Sequence, residues 1–345
     1  MRSIGGEFEI DLGMLRGIDL NFNSSLFLFS TGRMALKVIL CHLKKTLAKN
    51  VIHLPYYICS SVVEVCITEG FELKFYEINS AFELSMEYLD NIQFNEVLLT
   101  VCYFGIVSDN DIIKKVKNNR PDIHCISDHV MSYWTLQSTY SDYSFTSLRK
   151  HFAIPEGGII YSKRSLNFKE WTTKENSFYL DKYIAATFKF LNTSDSIFLH
   201  FFQNGERKLD EEITEITKAS VLANHLYNNT NFIEFAEIRL ANAKYVYDKG
   251  NEVGLDFIFS YDGKSIPQHI PIWVNDSQKL RKALFSENIF LPIHWPVHDY
   301  NLDSKTSLKM NANSISLVID QRYNEDDMHR LVMTVSEFNN KLRKV

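Results

Sequence analysis

The chain has 345 residues, which is long for one compact domain, so its length predicts two hydrophobic cores. Hydrophobic residues make up 45% of the chain and aromatic residues 13%, a composition that excludes a disordered protein. The 42 acidic and 37 basic residues give a net charge of -5 and form no basic stripe, which excludes nucleic acid as the main partner.

The cysteines and the N-terminus indicate the cellular compartment. The five cysteines are odd in number and mostly lie in apolar runs, so we expect free thiols in a reducing compartment. The N-terminus lacks the apolar region of a signal peptide, and the longest apolar stretch, residues 97–107, is too short to span a membrane. We therefore expect a cytoplasmic protein with no membrane partner. No histidine or cysteine spacing is typical of a metal site.

Short apolar runs alternate with helical patterns in the first half of the chain. The runs of strand length are residues 51–54, 73–76, 97–103, 124–127 and 158–161. The helical patterns between them are residues 33–49, 58–69 and 110–119. This alternation is typical of a mainly parallel sheet covered by helices on both faces. It predicts a three-layer α/β fold.

The pattern changes after about residue 205. Apolar residues at helical spacing run from Ile213 to Tyr227, and a further helix is predicted over residues 232–249. Strand-like segments and a final amphipathic helix follow, with Asn324 or Asp326 as its cap. The strand-like segments are residues 257–260, 269–274 and 315–319. We predict a large α/β domain over residues 1–229 and a small α+β domain over residues 230–345.

Two segments carry candidate chemical groups. A turn rich in serine and threonine leads to Lys150, and Gly157 and Gly158 then open an apolar strand in a chain with only 13 glycines. Asp128 directly follows a strand-length apolar run, so its carboxylate is predicted at the carboxyl end of a sheet strand. Ligands bind at that edge in open α/β sheets.

A third segment, residues 30–36, places Thr31 and Gly32 at the start of a helix, where free N–H groups and the helix dipole suit an anion. Together with Lys150 and Asp128, this gives the groups that pyridoxal phosphate requires. The lysine forms a Schiff base with the aldehyde, the carboxylate keeps the pyridine nitrogen protonated, and the helix start binds the phosphate.

With these motifs in order over nearly its whole length, the chain resembles a divergent member of the DegT/StrS family of pyridoxal-phosphate-dependent sugar aminotransferases, which have the type I aminotransferase fold. The matching stretches are S-T-G-R-M-A-L at residues 30–36, L-P-Y-Y at 54–57, Y-F-G at 103–105, Asp128, S-F at 144–145 with Lys150, E-G-G at 156–158, H-W-P at 294–296, and residues 317–323.

The resemblance implies a role for each matching residue. Lys150 would be the Schiff-base lysine and Asp128 the partner of the pyridinium nitrogen. The phosphate would be bound by Ser144 and by the backbone of Gly32, Arg33 and Met34.

The spacing between the serine and the lysine differs from that of the family. Lysine usually lies five residues after the serine, where this chain has Arg149. We assign the role to Lys150 because the pKa of arginine is too high for imine formation. The extra residue leaves three hydroxyls as possible phosphate ligands, those of Ser144, Thr146 and Ser147.

Two ring-packing positions also depart from the family pattern. Met131 replaces a histidine or glutamine, and Cys59 replaces an aromatic residue, so Tyr57 or Tyr103 is a candidate substitute for packing on the cofactor ring. The asparagine or arginine that family members contribute from the partner subunit has no clear counterpart in residues 210–216.

Several further residues are candidates for contact with the substrate. His129 and His151 each follow a key residue directly, although a satisfied or surface histidine is the more common interpretation for both. His294 and Trp295 form either a substrate wall or part of the core. Tyr103 is a further candidate for contact with the substrate.

The implied function is transfer of an amino group, from an amino acid such as glutamate, to a nucleotide-linked keto-sugar for surface polysaccharide synthesis. The resemblance also implies a homodimer. Two alternatives stay open. One is a catalytically silent binding subunit, suggested by Met131 and Cys59. The other is a sugar dehydratase, in which histidine replaces the lysine, and His151 lies beside Lys150.

Overall fold

The computed structural model of the protein describes residues 2–15, 27–166, 174–191, 195–211 and 214–343. The strands in these ranges are β1 (Ile4–Gly5), β2 (Val51–Pro55), β3 (Glu72–Tyr76), β4 (Val97–Val101), β5 (His124–Asp128), β6 (Tyr143–Ser147), β7 (Gly158–Ser162), β8 (Asp256–Phe257), β9 (His269–Trp273), β10 (Ile289–Phe290) and β11 (Ser314–Val318).

The α-helices of the described ranges are α1 (Gly32–Lys44), α2 (Ser60–Thr68), α3 (Asn110–Asn119), α4 (Tyr179–Phe190), α5 (Asp195–Glu211), α6 (Val221–Asn228), α7 (Phe232–Glu252), α8 (Ser277–Phe285), α9 (Lys305–Asn313) and α10 (Glu325–Arg343). None of them is long and apolar enough to cross a membrane.

The central sheet has the strand order β3-β2-β4-β5-β6-β7. The strands from β2 to β6 pair in parallel, and β7 pairs antiparallel with β6. This arrangement confirms the predicted α/β fold with a mainly parallel sheet. Asp128 pairs in register with Val101 of β4 and Phe145 of β6, so the carboxyl ends of three strands meet at one edge.

Strand β6 corrects the sequence analysis, which described this segment as a turn rich in serine and threonine. All five residues of β6 are buried. Partners elsewhere in the fold satisfy some of its polar groups: the Thr146 hydroxyl donates to the carbonyl of His129 (2.8 Å), and the Phe145 carbonyl accepts from the His129 amide (2.8 Å). A polar strand in the middle of a sheet has no apolar run by which the sequence could reveal it.

The predicted helix over residues 213–227 is also corrected. Ile213 lies outside the described residues, and α6 begins only after Ser220, whose hydroxyl accepts from the amide of Ala223 (3.2 Å). The preceding residues are extended because Thr217 accepts the amide of Ser30 (3.0 Å), and Lys218 forms a bridge to Phe29.

A second core lies in the C-terminal part of the chain. It contains the antiparallel sheet β11-β9-β8 and the buried faces of α7 and α10. Ile4 belongs to this core, because β1 pairs in parallel with β10. The N-terminal strand thus packs on the C-terminal part of the chain, and the domain boundary near residue 230 stays a prediction.

Two glycines let β7 approach the start of α1. Gly157 has a φ of +105°, a conformation that L-residues rarely adopt. A Cβ on Gly158 would lie 2.0 Å from the carbonyl oxygen of Thr31, so only glycine fits there. This close contact holds the N-terminus of α1 beside the carboxyl ends of β5 and β6.

Replacing Leu98 with alanine tests the core of the central sheet. Leu98 is 0% exposed in β4, so Leu98→Ala should lower the free energy of unfolding by about 2–5 kcal/mol, through lost apolar contacts and the resulting cavity. Phe94→Ala, at a side chain that is 81% exposed, is the control and should change it by about 0.5 kcal/mol or less. Urea unfolding measures both, and equal effects would contradict this description of the core.

Candidate active site

A cavity of about 660 Å³ lies at the carboxyl ends of β4, β5 and β6. One wall comes from the central sheet and the start of α1, and the opposite wall comes from residues around β9 and β11. The sequence-predicted residues that line it are Gly32, Arg33, Cys59, Asp128, Met131, Ser147, Lys150, His294 and Trp295.

Asp128, the last residue of β5, is buried without a cation. One carboxylate oxygen accepts from the amide of Val130 (2.8 Å), and the other has no hydrogen-bond partner in the described part of the chain. Burial raises the pKa of Asp128 to about 7, with a smaller contribution from Asp109. A carboxylate in this state would gain from a cationic ligand group in the cavity.

Lys150 ends the 3₁₀ turn that follows β6. Its side chain is exposed to the cavity, and neighbouring groups still affect the pKa of its amine. The positive charge of Arg149, followed by burial, lowers the pKa of Lys150. Its Nζ has no hydrogen bond or ion pair among the residues that the structure describes. An unpaired amine with a lowered pKa is better suited to attack a carbonyl group than an ordinary lysine.

The start of α1 leaves backbone donors free at the cavity. The hydroxyl of Thr31 accepts from the amide of Met34 (3.1 Å), so Met34 is not available as a phosphate contact, in contrast to the prediction. The amides of Gly32 and Arg33 have no acceptor within the described ranges. Ser147 lies against Gly32, since a Cβ on that glycine would be 3.1 Å from the Ser147 Cβ.

Among the three candidate hydroxyls, the structure brings only that of Ser147 to the cavity. The hydroxyl of Ser144 is buried on the other side of β6 and has no partner in the described residues, and Thr146 donates to the carbonyl of His129. This difference follows from the alternation of side chains along a strand, which puts Phe145 and Ser147 on the cavity side. Ser144 is therefore not positioned as the phosphate ligand that the resemblance implied.

Trp295 is one of the aromatic residues that line the cavity, together with Phe8, Phe145, Phe285 and Phe290. Tyr57 and Tyr103, the predicted substitutes for ring packing, are both buried behind it. The Tyr57 ring lies 4.9 Å from that of Trp295, and the Tyr57 hydroxyl donates to the carbonyl of His294 (2.6 Å). Tyr103 in turn donates to the carbonyl of Tyr57 (2.7 Å). The two tyrosines thus support Trp295 from its buried side.

The two histidines beside the key residues do not line the cavity. His151 is buried and its Nε2 bonds the carbonyl of Val130 (2.9 Å), which fixes the backbone next to Asp128. His129 is also buried, with Nδ1 3.0 Å from the hydroxyl of Thr135. Burial lowers the pKa of both histidines, as expected for neutral rings in the core.

The sequence analysis missed a group of polar side chains that fix the turn after Lys150. Gln268 donates to the carbonyl of Lys150 (2.9 Å), and Gln321 donates to that of His151 (2.8 Å). Arg239, which is 1% exposed, donates to Gln321 (2.9 Å) and to the carbonyl of His151 (3.1 Å). These residues lie far from Lys150 in the sequence, so no local pattern could have identified them.

Comparison with solved structures identifies this architecture. Spr1654 of Streptococcus pneumoniae, assigned as a sugar aminotransferase and solved in its PLP form, superposes with a TM-score of 0.72 over 99% of both chains at 12% identity. A DegT/DnrJ/EryC1/StrS aminotransferase of Brucella abortus gives 0.64 at 13% identity, covering 95% of this chain and 88% of that one.

The chain has the type I aminotransferase fold. A GDP-4-keto-6-deoxymannose-3-dehydratase solved with GDP-perosamine shares it, with a TM-score of 0.66 at 17% identity over 89% of this chain and 87% of that one. No protein-family model and no curated protein sequence matches the chain. At these identities the likeness establishes the fold, which agrees with the fold expected from the sequence motifs.

The pKa of Asp128 predicts a pH-dependent stability for the cofactor-free protein. A carboxyl group whose pKa rises from about 4 when unfolded to about 7 when folded stabilises the protein at low pH, and this contribution is lost as the pH rises. Wild type should therefore lose roughly 2–3 kcal/mol relative to Asp128→Asn between about pH 5 and about pH 8. Glu156, whose pKa burial also raises to about 7, is present in both proteins and cancels.

Urea unfolding at the two pH values measures this difference. The control is Asp111→Asn, at an exposed position of α3, which should follow wild type at both pH values. If the free energy of unfolding changes equally with pH in wild type and Asp128→Asn, Asp128 has an ordinary pKa and the prediction is wrong.

Proposed function

We propose that the protein is a pyridoxal-phosphate-dependent aminotransferase that acts on a sugar. The observation that carries this proposal is that Lys150 and Asp128 line one cavity of the type I fold, and that neither forms an ion pair with another described residue. The sequence motifs and the architecture of the solved sugar aminotransferases support it.

The residues of the cavity fit pyridoxal phosphate in three respects. The buried carboxylate of Asp128 has no cation and would be matched by a protonated ring nitrogen. The free amides of Gly32 and Arg33 and the hydroxyl of Ser147 offer donors for the phosphate. The unpaired amine of Lys150 would hold the aldehyde. When bound, the cofactor supplies an electron sink for the carbanion that forms at the donor carbon.

Lys150 would act both as the anchor of the cofactor and as the base. Because the pKa of its amine is lowered, Nζ adopts the neutral form that takes a proton more readily than an ordinary lysine does. Once the donor amine has displaced it, Nζ would remove the proton from the donor α-carbon. Gln268, through its bond to the Lys150 carbonyl, holds the backbone of the turn still during this step.

Asp128 and Trp295 would set the environment of the reaction. The carboxylate of Asp128 would hold the ring nitrogen and favour its cationic form, since an opposite charge in a buried site stabilises the ionised pair. Trp295 would restrict access of water to the reacting carbon, with Tyr57 and Tyr103 holding its ring in place. Cys59 and Met131 complete the wall without contributing charge.

The substrates follow from the same resemblance. We infer that an amino acid, such as glutamate, donates the amino group and that a nucleotide-linked keto-sugar accepts it, for surface polysaccharide synthesis. His294 lines the cavity, and its Nδ1 is 2.9 Å from the Ser316 hydroxyl, which leaves Nε2 available for a sugar hydroxyl. The homodimer and the cytoplasmic location stay predictions of the sequence.

The two alternatives are less well supported by the geometry. A dehydratase would need histidine at the position of the amine, but the ring of His151 is buried and bonds the carbonyl of Val130, while Lys150 faces the cavity. A silent binding subunit would have no use for an amine with a lowered pKa beside an unpaired carboxylate.

The half-reaction with glutamate tests the proposal. Protein loaded with pyridoxal phosphate should release one equivalent of 2-oxoglutarate, and Lys150→Ala should reduce the rate by about 100-fold or more, because the base is lost. Lys163→Ala, at an exposed lysine, is the matched control and should behave as wild type. Chromatography of the released keto acid measures all three proteins.

Two results would count against the proposal. Wild type that releases no more 2-oxoglutarate than Lys150→Ala would exclude glutamate as the donor and, if no other amino acid reacts, would favour the silent subunit. A nucleotide-linked keto-sugar that loses a hydroxyl group without gaining an amine would favour the dehydratase.

A further inference from the structure

Arg149 carries donor groups that the described protein does not use. Its Nη1 donates to Glu206 of α5 (2.9 Å), while its Nε and Nη2 have no acceptor within the described residues. The side chain lines the same cavity as Lys150 and is 19% exposed. A guanidinium has a planar fork of donors that suits a phosphate or carboxylate.

Arg149 shares its carboxylate partner with a second cation. Glu206 faces two cations, because Lys182 also pairs with it, and Lys150 adds an amine to the same region. Glu7 lines the cavity as well, but its side chain forms no ion pair among the described residues. Positive charge in a half-buried space is stabilised by an anion. An anionic ligand would therefore stabilise Arg149, whose one carboxylate partner is shared.

Arg33 differs from Arg149 in how its terminal nitrogens are paired. Both of its terminal nitrogens donate to the same carboxylate oxygen of Asp210 (3.0 and 2.9 Å), so each charge of that pair has a partner. Arg149 thus keeps two nitrogens, Nε and Nη2, without an acceptor among the described residues.

We propose that Arg149 binds the phosphate of the cofactor within a single chain. The inference rests on the proposed function. Arg149 lies in the sequence between Ser147, which faces the free amides of α1, and Lys150, which would hold the aldehyde. The ring carbons on either side of the aldehyde carry the phenolate oxygen and the phosphate-bearing methylene. Of these two anionic groups, the phosphate is the one that the amides of Gly32 and Arg33 beside Ser147 would bind, and these residues line the same cavity as Arg149.

Phosphate binding would give Arg149 a function at the position where family members usually have the lysine. Residues 210–216 offer no clear counterpart of the phosphate contact that family members receive from the partner subunit. An arginine in the turn itself would supply the charge without the partner. Arg149 also lowers the pKa of Lys150, but that effect acts on the binding of any aldehyde, whereas phosphate binding acts only on ligands that carry the phosphate.

The test compares pyridoxal phosphate with pyridoxal, which lacks the phosphate. For each protein, absorbance titration gives the two dissociation constants and their ratio. Arg149→Gln should reduce the preference for pyridoxal phosphate by about 10- to 100-fold, the effect of one or two charge-assisted hydrogen bonds. Arg149→Lys keeps the charge but not the fork, so it should lose part of the preference. Any effect on the amine of Lys150 cancels in the ratio.

Arg207→Gln is the matched control. Arg207 lies on α5 with its side chain 58% exposed and pairs with Glu211. The Arg207→Gln variant should therefore have the same ratio of dissociation constants as wild type. If Arg149→Gln has the same ratio of dissociation constants as wild type, the inference is overturned. If that variant does not fold, a wild-type ratio in Arg149→Lys would overturn it instead.

Inorganic phosphate separates this inference from the proposed function. It should raise the melting temperature of the cofactor-free wild type and have little effect on Arg149→Gln, because a ligand stabilises only the state that binds it. If wild type binds neither aldehyde, the proposed function is wrong, and the phosphate measurement still tests Arg149. An equal rise in both proteins, or no rise in either, would overturn the inference.

Discussion

The register between β4, β5 and β6 is the constraint on which the site depends. Because Val101, Asp128 and Phe145 are neighbours across three parallel strands, the turns that follow these strands emerge at one edge of the sheet. The hydrogen bond from the His129 amide to the Phe145 carbonyl extends this pairing beyond the end of β5. A slip of one residue would turn Asp128 and Ser147 away from the cavity.

The charges at this edge are arranged for a ligand and not for the stability of the empty protein. Asp128 is buried without a cation, and Lys150 lies beside the like charge of Arg149. Both arrangements cost free energy in the absence of a ligand, and the rest of the fold has to offset it. A ligand with a cationic ring, a carbonyl and a phosphate would relieve both at once, which is why the geometry favours a cofactor of that kind.

Much of this arrangement could be predicted from the sequence, because the relevant signals are local. Apolar runs marked β2, β4 and β5, and a carboxylate directly after such a run marked Asp128. Strand β6 could not be recognised because its buried polar residues gain their partners only in the folded protein. The H-W-P motif already made Trp295 a candidate, whereas Gln268 and Arg239 come from distant parts of the chain and no pattern near Lys150 indicates them. Arg149 was visible as the neighbour of the lysine, but its role depends on Glu206 in α5.

The most direct test of the account is to identify the lysine that reacts with the cofactor. The protein is incubated with pyridoxal phosphate, reduced with borohydride and digested, and the modified peptide is sequenced by mass spectrometry. The account predicts a single adduct on Lys150, with binding weakened in Asp128→Asn because the ring nitrogen loses its carboxylate. A protein that forms no adduct, or one on a surface lysine that is unaffected by Asp128→Asn, would contradict it.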